Sequence, residues 1–293
     1  MPREGKKVAI QSKKSNIFYE NWKVYSTGHK LMFRCNQKKA DWYLKRDLAV
    51  LLPKESRSIK LTFEAKGDGH KKGDYMVEDR NNMCVACGST KDLSIHHVVP
   101  EMYRQWMPLV IKAKSSRDLL LLCQHCRLSY EPSAMDFKKR CVREFNIPLE
   151  GRGWVSLPHY KVAKKAASAL KMHSNVIPAD RQATLKTTVF DFWEKHGSEV
   201  DEELAAKDTE ENWDSILEVC STLVDHFKGP DYIEHANSAI EQLTKTVELD
   251  SEGRETWPDL EDFIKDWRRH FLRNLDPEFL SELWTVDGDI YTR

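Results

Sequence analysis

Three short stretches decide the fold of the central part of this chain: Cys84-Val-Ala-Cys87, His96-His97-Val-Val-Pro100 and Cys123-Gln-His-Cys126. Two cysteines separated by two residues can direct both sulfur atoms at one metal ion, and two such pairs complete a tetrahedral four-thiolate site. The four cysteines therefore predict a structural zinc ion. The two histidines are not needed to fill that site, which leaves them available for chemistry.

The residues around these stretches predict a ββα unit. Leu93–Val99 is typical of a strand that ends at Pro100, the apolar run Leu119–Leu122 leads into the second cysteine pair, and Met135–Phe145 is predicted to be helical. In a unit this small, a bound metal ion takes the place of an extensive hydrophobic core.

The double histidine inside this unit indicates the site of an HNH nuclease. Such a site needs a neutral imidazole as general base and a divalent cation that holds the scissile phosphate. We expect His97 to be the base and His96 to bind a catalytic Mg²⁺ or Mn²⁺. Asp118 stands where these proteins usually place an asparagine, and its carboxylate can bind the same cation. Arg127 occupies a position that usually holds a histidine ligand; because arginine stays protonated, we expect it to clamp a phosphate instead.

Each of these residues also has a purely structural interpretation. The two histidines can be remnants of an active site that are kept for packing or for hydrogen bonds around the zinc ligands. Asp118 can be a cap. His125 is expected to face solvent, and the isolated cysteines are expected to be buried thiols: Cys35, Cys141 and Cys220.

The neutral total charge hides an uneven distribution. Residues 1–150 hold 29 Lys and Arg against 17 Asp and Glu, whereas residues 151–293 hold 17 against 29. The basic half is predicted to bind nucleic acid, DNA or RNA, and the acidic half is predicted to bind a protein partner or to fold back onto the basic half.

The composition points to an intracellular protein in a reducing compartment. The sequence has no apolar run long enough to span a membrane, and its N-terminus lacks the apolar stretch of a secretory signal. Paired cysteines fit a metal site better than a disulfide framework. Nucleus, cytoplasm and mitochondrion all remain open.

The whole chain of 293 residues is predicted to be an α+β protein with four segments. These are a disordered basic tail (1–15), an N-terminal strand–helix–strand module (16–72), an HNH-like zinc module (73–150) and an acidic helical domain (151–293). In the N-terminal module we predict a hairpin, a helix and a strand, over 17–35, 39–52 and 58–64. Helices are predicted in the last segment over 159–173, 181–196, 213–227, 232–247 and 260–275, with a short one from Asp276 to Trp284.

Several motifs, in the same order along the chain, resemble the exonuclease 3'-5' domain-containing protein 2 family. They are Phe33–Leu44, Ile59–Phe63, Gly73–Met76, Met83–Cys87, Val98–Arg104, Ser116–Cys123 and Trp267–Leu272. The resemblance covers the part of these proteins that follows their exonuclease domain, and it is weakest between about 150 and 255.

This resemblance implies nucleic-acid processing, since family members degrade DNA or RNA with Mn²⁺ or Mg²⁺ in mitochondria and nucleus. Their exonuclease activity belongs to a domain built on spaced Asp and Glu residues, and the sequence shows no such pattern. Of the family's features, the resemblance therefore implies only the HNH-like zinc module for this chain. We therefore expect an HNH-type nuclease; the alternatives are an inactive, zinc-stabilised nucleic-acid-binding module and an adaptor for a separate exonuclease.

Overall fold

A computed structural model describes residues 17–53, 55–65, 69–70, 73–112 and 115–291. The predicted basic tail, residues 1–15, lies outside these ranges. The chain forms two compact units: unit 1 combines residues 1–149 with 236–293, and unit 2 is residues 150–235. Among the helices in the described ranges, none has the length and apolar character needed to cross a membrane.

Unit 1 has mixed α and β structure in small sheets, which agrees with the predicted α+β class. Its strands are β1 (Trp22–Tyr25), β2 (Leu31–Cys35), β3 (Ala49–Leu51), β4 (Ser58–Leu61), β5 (Leu93–His97) and β6 (Leu119–Cys123). Its first helices are α1 (Gln37–Leu44), α2 (Glu101–Arg104), α3 (Leu109–Lys112) and α4 (Gln124–Phe145).

The N-terminal part of unit 1 is a four-stranded sheet in the order β2-β1-β4-β3. The predicted hairpin is present, because β1 and β2 pair antiparallel with Trp22 opposite Cys35. The predicted helix over 39–52 is wrong in its second half. Asp47 adopts a left-handed backbone with φ +56, and the chain then turns into β3, which pairs antiparallel with β4.

The ββα unit consists of the antiparallel pair β5–β6, with His96 opposite Leu120 and His97 opposite Leu119, followed directly by α4. Helix α4 begins at Gln124, eleven residues before the predicted start, and contains Pro132 in its interior. Its early start follows from the cysteine pair, since the Cys123 sulfur accepts a hydrogen bond from the Cys126 backbone N–H at 3.5 Å and caps the helix.

The chain leaves unit 1 to form unit 2 and then returns to it. Unit 2 contains β7 (Arg152–Ser156), α5 (Pro158–His173), α6 (Ala179–Val200), α7 (Glu202–Ala205), α8 (Trp213–Ser221) and β8 (His226–Ile233). The returning segment contains α9 (His235–Leu243), β9 (Glu248–Leu249), β10 (Glu255–Thr256) and α10 (Pro258–Leu275).

This division differs from the predicted single helical domain over 151–293. Helix α10 is amphipathic, and its apolar face lies in the same core as α4, with the Trp267 ring 4.2 Å from that of Phe137. Trp267 and Phe271 are fully buried. Since the ββα unit is too small to bury its own apolar side chains, the last helix belongs with it and not with residues 150–235.

Unit 2 has its own core between α5, α6 and α8, where Val189, Ile216 and Cys220 are fully buried. The predicted helices over 213–227 and 232–247 are too long. Residues His226–Ile233 between them form strand β8, which pairs antiparallel with β7. The predicted helix from Asp276 to Trp284 is also wrong; Asp276 takes a left-handed backbone with φ +42 and ends α10, and turns follow.

Candidate metal centre and adjoining cleft

The four paired cysteines come together at one point of unit 1. The sulfur atoms of Cys84, Cys87, Cys123 and Cys126 all lie within 4.8 Å of one another, so the group can hold one metal ion. The Cys87 and Cys123 sulfurs are 3.7 Å apart. This fits tetrahedral zinc, because Zn–S bonds of about 2.3 Å place neighbouring sulfurs about 3.8 Å apart.

A tight backbone turn holds Cys84 and Cys87, the first pair of cysteines. The Gly88 N–H donates to the Cys84 carbonyl at 2.9 Å, and the Cys84 N–H donates to the Ser89 carbonyl at 2.8 Å, which closes a tight turn around the pair. Gly88 has φ +71, and an added Cβ would lie 2.8 Å from the Phe279 ring. Glycine is therefore required where this turn ends. His125, between the cysteines of the second pair, is exposed.

The double histidine opens onto a cleft of about 220 Å³ between β5, the chain after it and α4. His96 and His97 line it from the end of β5. The charged side chains that complete its wall are Glu101, Arg127, Glu131 and Lys138. The structure thus brings three of the predicted catalytic residues to one place: His96, His97 and Arg127.

His96 is held between aromatic rings and kept neutral. Its ring stacks on Phe271 with centroids 5.7 Å apart and meets the Tyr130 ring edge-on at 5.3 Å. Burial, followed by the positive charge of Arg127, lowers the pKa of His96 to about 4. Its Nε2 is buried and lacks a hydrogen-bond partner among the described residues. A neutral imidazole with an unused ring nitrogen is a suitable metal ligand.

His97 has a carboxylate partner that the sequence prediction missed. Its Nε2 lies 3.3 Å from Oε2 of Glu101, which also accepts a hydrogen bond from Nε of Arg104 at 2.7 Å. Burial lowers the pKa of His97, and the Glu101 carboxylate opposes that shift. The ring is therefore neutral near pH 7 and oriented through Nε2, which leaves Nδ1 to take up a proton. The sequence signal for this contact was the four-residue spacing between His97 and Glu101, with Pro100 turning the chain back.

Helix α4 contributes a row of three charged residues to the cleft. Arg127, Glu131 and Lys138 lie on one face of the helix, since their spacings of four and seven residues are one and two turns. In the described part of the chain, none of the three side chains makes a salt bridge or hydrogen bond. Glu131 and Lys138 were also missed, although helical spacing from Arg127 points to both.

Asp118 lies elsewhere, and the structure corrects its predicted role as a cation ligand. Its two carboxylate oxygens accept hydrogen bonds from Nε and Nη2 of Arg268 at 2.9 and 3.0 Å. Only 6% of Asp118 and 1% of Arg268 are exposed. Since both oxygens are committed to a buried ion pair, Asp118 ties β6 to α10 and does not face the cleft.

Comparison with curated proteins gives four relatives, three of which share one name. The protein named exonuclease 3'-5' domain-containing protein 2 from Homo sapiens is 26% identical over 98% of this chain. The protein of the same name from Drosophila melanogaster is 26% identical over 92% of it. The predicted resemblance to this family is confirmed. Protein RRP6-like 3 of Arabidopsis thaliana is 31% identical over 58% of this chain and 22% of its own length.

The chain spans 43% of the length of the human and fly relatives. No protein-family model matches it, and no solved structure matches it. The names of the relatives describe those longer proteins, and the chemistry of this particular chain has to be argued from its own cleft.

Proposed function

We propose that this chain is a divalent-metal-dependent nuclease of the HNH type, which hydrolyses phosphodiester bonds of DNA or RNA. The observation that carries the proposal is the cleft beside the cysteine cluster. It joins a neutral histidine with a carboxylate partner, a second histidine whose Nε2 has no hydrogen-bond partner among the described residues, and cationic side chains that make no salt bridge within those residues. In this proposal the four cysteines hold a structural Zn²⁺.

His97 takes a proton from the attacking water as that water's oxygen bonds to phosphorus. The bond from phosphorus to the leaving nucleotide oxygen breaks, and the leaving oxygen takes a proton from solvent. The products are a phosphate monoester and an alcohol. Arg127 and Lys138 hold the anionic oxygens of the phosphate, and Glu101 keeps the His97 ring in place.

A Mg²⁺ or Mn²⁺ bound beside His96 would neutralise the charge that develops on the phosphate. The unused Nε2 of His96 fits this assignment.

The test compares two histidine variants of the zinc-loaded chain with Mg²⁺ or Mn²⁺, on single- and double-stranded DNA and RNA. His97→Ala is expected to reduce cleavage by about 10²- to 10⁴-fold, the usual contribution of a general base. His125→Ala is the matched control, because His125 is an exposed histidine of the same ββα unit, and its cleavage should stay at the wild-type level. Undiminished cleavage by His97→Ala would refute the proposed base.

A second candidate function is nucleic-acid binding without cleavage. It is favoured by Arg127, which stands where a histidine ligand is usual, and by the ion pair that occupies Asp118. Binding that weakens steeply with salt, without cleavage in either metal, would select this function.

A further inference from the structure

We infer that Glu131 is the carboxylate ligand of the catalytic cation. Together with His96 it forms a two-residue site that phosphate oxygens of the nucleic acid and water complete. This inference rests on the proposed function and identifies the ligands of that same cleft.

The two ligand positions that the sequence suggested after His96 are not usable. Both carboxylate oxygens of Asp118 accept hydrogen bonds from buried Arg268, and Arg127 carries a permanent positive charge. A Mg²⁺ or Mn²⁺ ion prefers oxygen ligands, so His96 alone does not make a site for either. A carboxylate has to come from elsewhere on the cleft wall.

Glu131 is a carboxylate on that wall. It follows Arg127 by one turn of α4 and lines the same cleft as His96. Its neighbour Tyr130 contacts the His96 ring edge-on at 5.3 Å, so the helix is held against that ring at this turn. Glu101, the other carboxylate of the cleft, is already bonded to His97 and Arg104.

The carboxylate of Glu131 is also uncommitted. It makes no salt bridge within the described residues, although Arg127 stands four residues before it on the helix. Exposed carboxylates elsewhere in unit 1 pair with cations three residues away, as Asp136 does with Lys139 at 3.0 Å and Asp266 with Arg269 at 2.7 Å. Glu131 and Arg127 therefore face the same cleft as separate, unused charges.

The site is built to share its cation with a phosphate. In the part of the chain that the structure describes, the cysteine cluster is the one group of three or more close metal-ligating side chains. The cleft thus offers fewer than three protein ligands. Mg²⁺ is commonly bound by one or two carboxylates together with phosphate oxygens and water. Because Arg127 and Lys138 attract the phosphate, cation and nucleic acid should strengthen each other's binding.

The experiment measures Mn²⁺ binding to the zinc-loaded full chain, by electron paramagnetic resonance and by calorimetry. Titrations are made with and without a phosphorothioate oligonucleotide. Wild-type protein should bind Mn²⁺ more tightly when the oligonucleotide is present. Glu131→Gln should weaken Mn²⁺ binding at least about tenfold, the lower end of what even a supporting residue of a metal site contributes.

Asp136→Asn is the matched control, because it removes an exposed carboxylate from the same helix outside the cleft. Its Mn²⁺ affinity should equal that of the wild type, and thermal unfolding should show that both variants are folded. Metal-free binding of the oligonucleotide by Glu131→Gln should not weaken, since Arg127 and Lys138 remain.

Wild-type Mn²⁺ affinity in Glu131→Gln would overturn the inference even if the protein is a nuclease. Absence of Mn²⁺ binding by wild-type protein, with the oligonucleotide present, would overturn it as well. Mn²⁺ binding that depends on Glu131 in a protein that cleaves no nucleic acid would support the metal site and refute the proposed nuclease function.

Discussion

Asp118 and Glu131 differ in what surrounds their carboxylates. Asp118 lies in the core, and each of its oxygens accepts a hydrogen bond from buried Arg268, whose Nη1 also donates to the carbonyls of Val286 and Gly288. Glu131 is exposed and unpaired within the described residues. Removing the Asp118 carboxylate should therefore change the stability of unit 1, and removing the Glu131 carboxylate should change what the cleft binds.

Asp118→Asn is expected to lower the free energy of unfolding by about 3–5 kcal/mol, because it leaves the Arg268 charge buried without its partner. Chemical denaturation followed by circular dichroism measures this. Asp266→Asn, which breaks the exposed pair with Arg269 on α10, should cost at most about 1 kcal/mol. Mn²⁺ binding should survive Asp118→Asn, and its loss in a folded variant would restore Asp118 as a ligand.

At the scale of single residues, sequence patterns predicted that the four cysteines come together, and they did not predict the ion pair of Asp118. The two-residue spacing of a cysteine pair predicts its geometry, since each pair forms its own local turn. The partner of Asp118 is 150 residues away in the sequence, and no local pattern connects the two. Glu101 and Glu131 were within reach of spacing arguments, because each lies four residues from a residue already singled out.

Among the secondary-structure elements, the antiparallel pair β5–β6 and helix α4 adjoin the cysteine cluster. One cysteine pair precedes β5, and the other joins β6 to α4, so an ion bound by the cysteines would tie all three together. Sequence patterns located these elements, but they placed the start of α4 at Met135, eleven residues late. The cap from Cys123 determines the start instead.

Cys84→Ser is expected to lose zinc and to lower the melting temperature of unit 1, since structural zinc contributes folding energy directly. Zinc content by elemental mass spectrometry should fall from one ion per chain to nearly none. Cys35→Ser is the control, because Cys35 is a half-buried thiol of β2 outside the cluster, and it should keep its zinc. Full zinc occupancy in Cys84→Ser would contradict the four-cysteine site.

At the scale of the whole molecule, the arrangement of the chain was the hardest feature to predict. Composition suggested a basic first half and an acidic second half. By unit, residues 150–235 hold 10 Lys and Arg against 16 Asp and Glu, and the remainder of the chain holds 36 against 30. The last helix is acidic at its start but apolar along one face, and this face decides where it packs. We propose that nucleic acid binds unit 1 and that a protein partner, if the acidic surface has one, binds unit 2.

We expect unit 1 to fold and to bind zinc without unit 2. Its first and last strands pair antiparallel, with Arg152 opposite Ile233, so the Cα atoms of these two residues, each two residues from an end of the unit, are about 5.5 Å apart or less. A chain in which a short Gly-Ser linker replaces residues 150–235 should still bind zinc and unfold cooperatively. Residues 150–235 alone should fold around their own core. Zinc content and thermal unfolding measure the first expectation, and thermal unfolding measures the second. An aggregated, zinc-free product of the deletion would contradict the first.

Unit 1 cannot complete its core until the last part of the chain has left the ribosome. Domains fold as units during synthesis, and residues 150–235 are contiguous, so unit 2 can finish before α10 exists. During that interval the surface of α4 that Trp267 and Phe271 later cover is open to water and to chaperones. Early capture of zinc by the four cysteines would keep β5, β6 and α4 together over this period, so the supply of metal during translation should influence how much protein reaches the folded state.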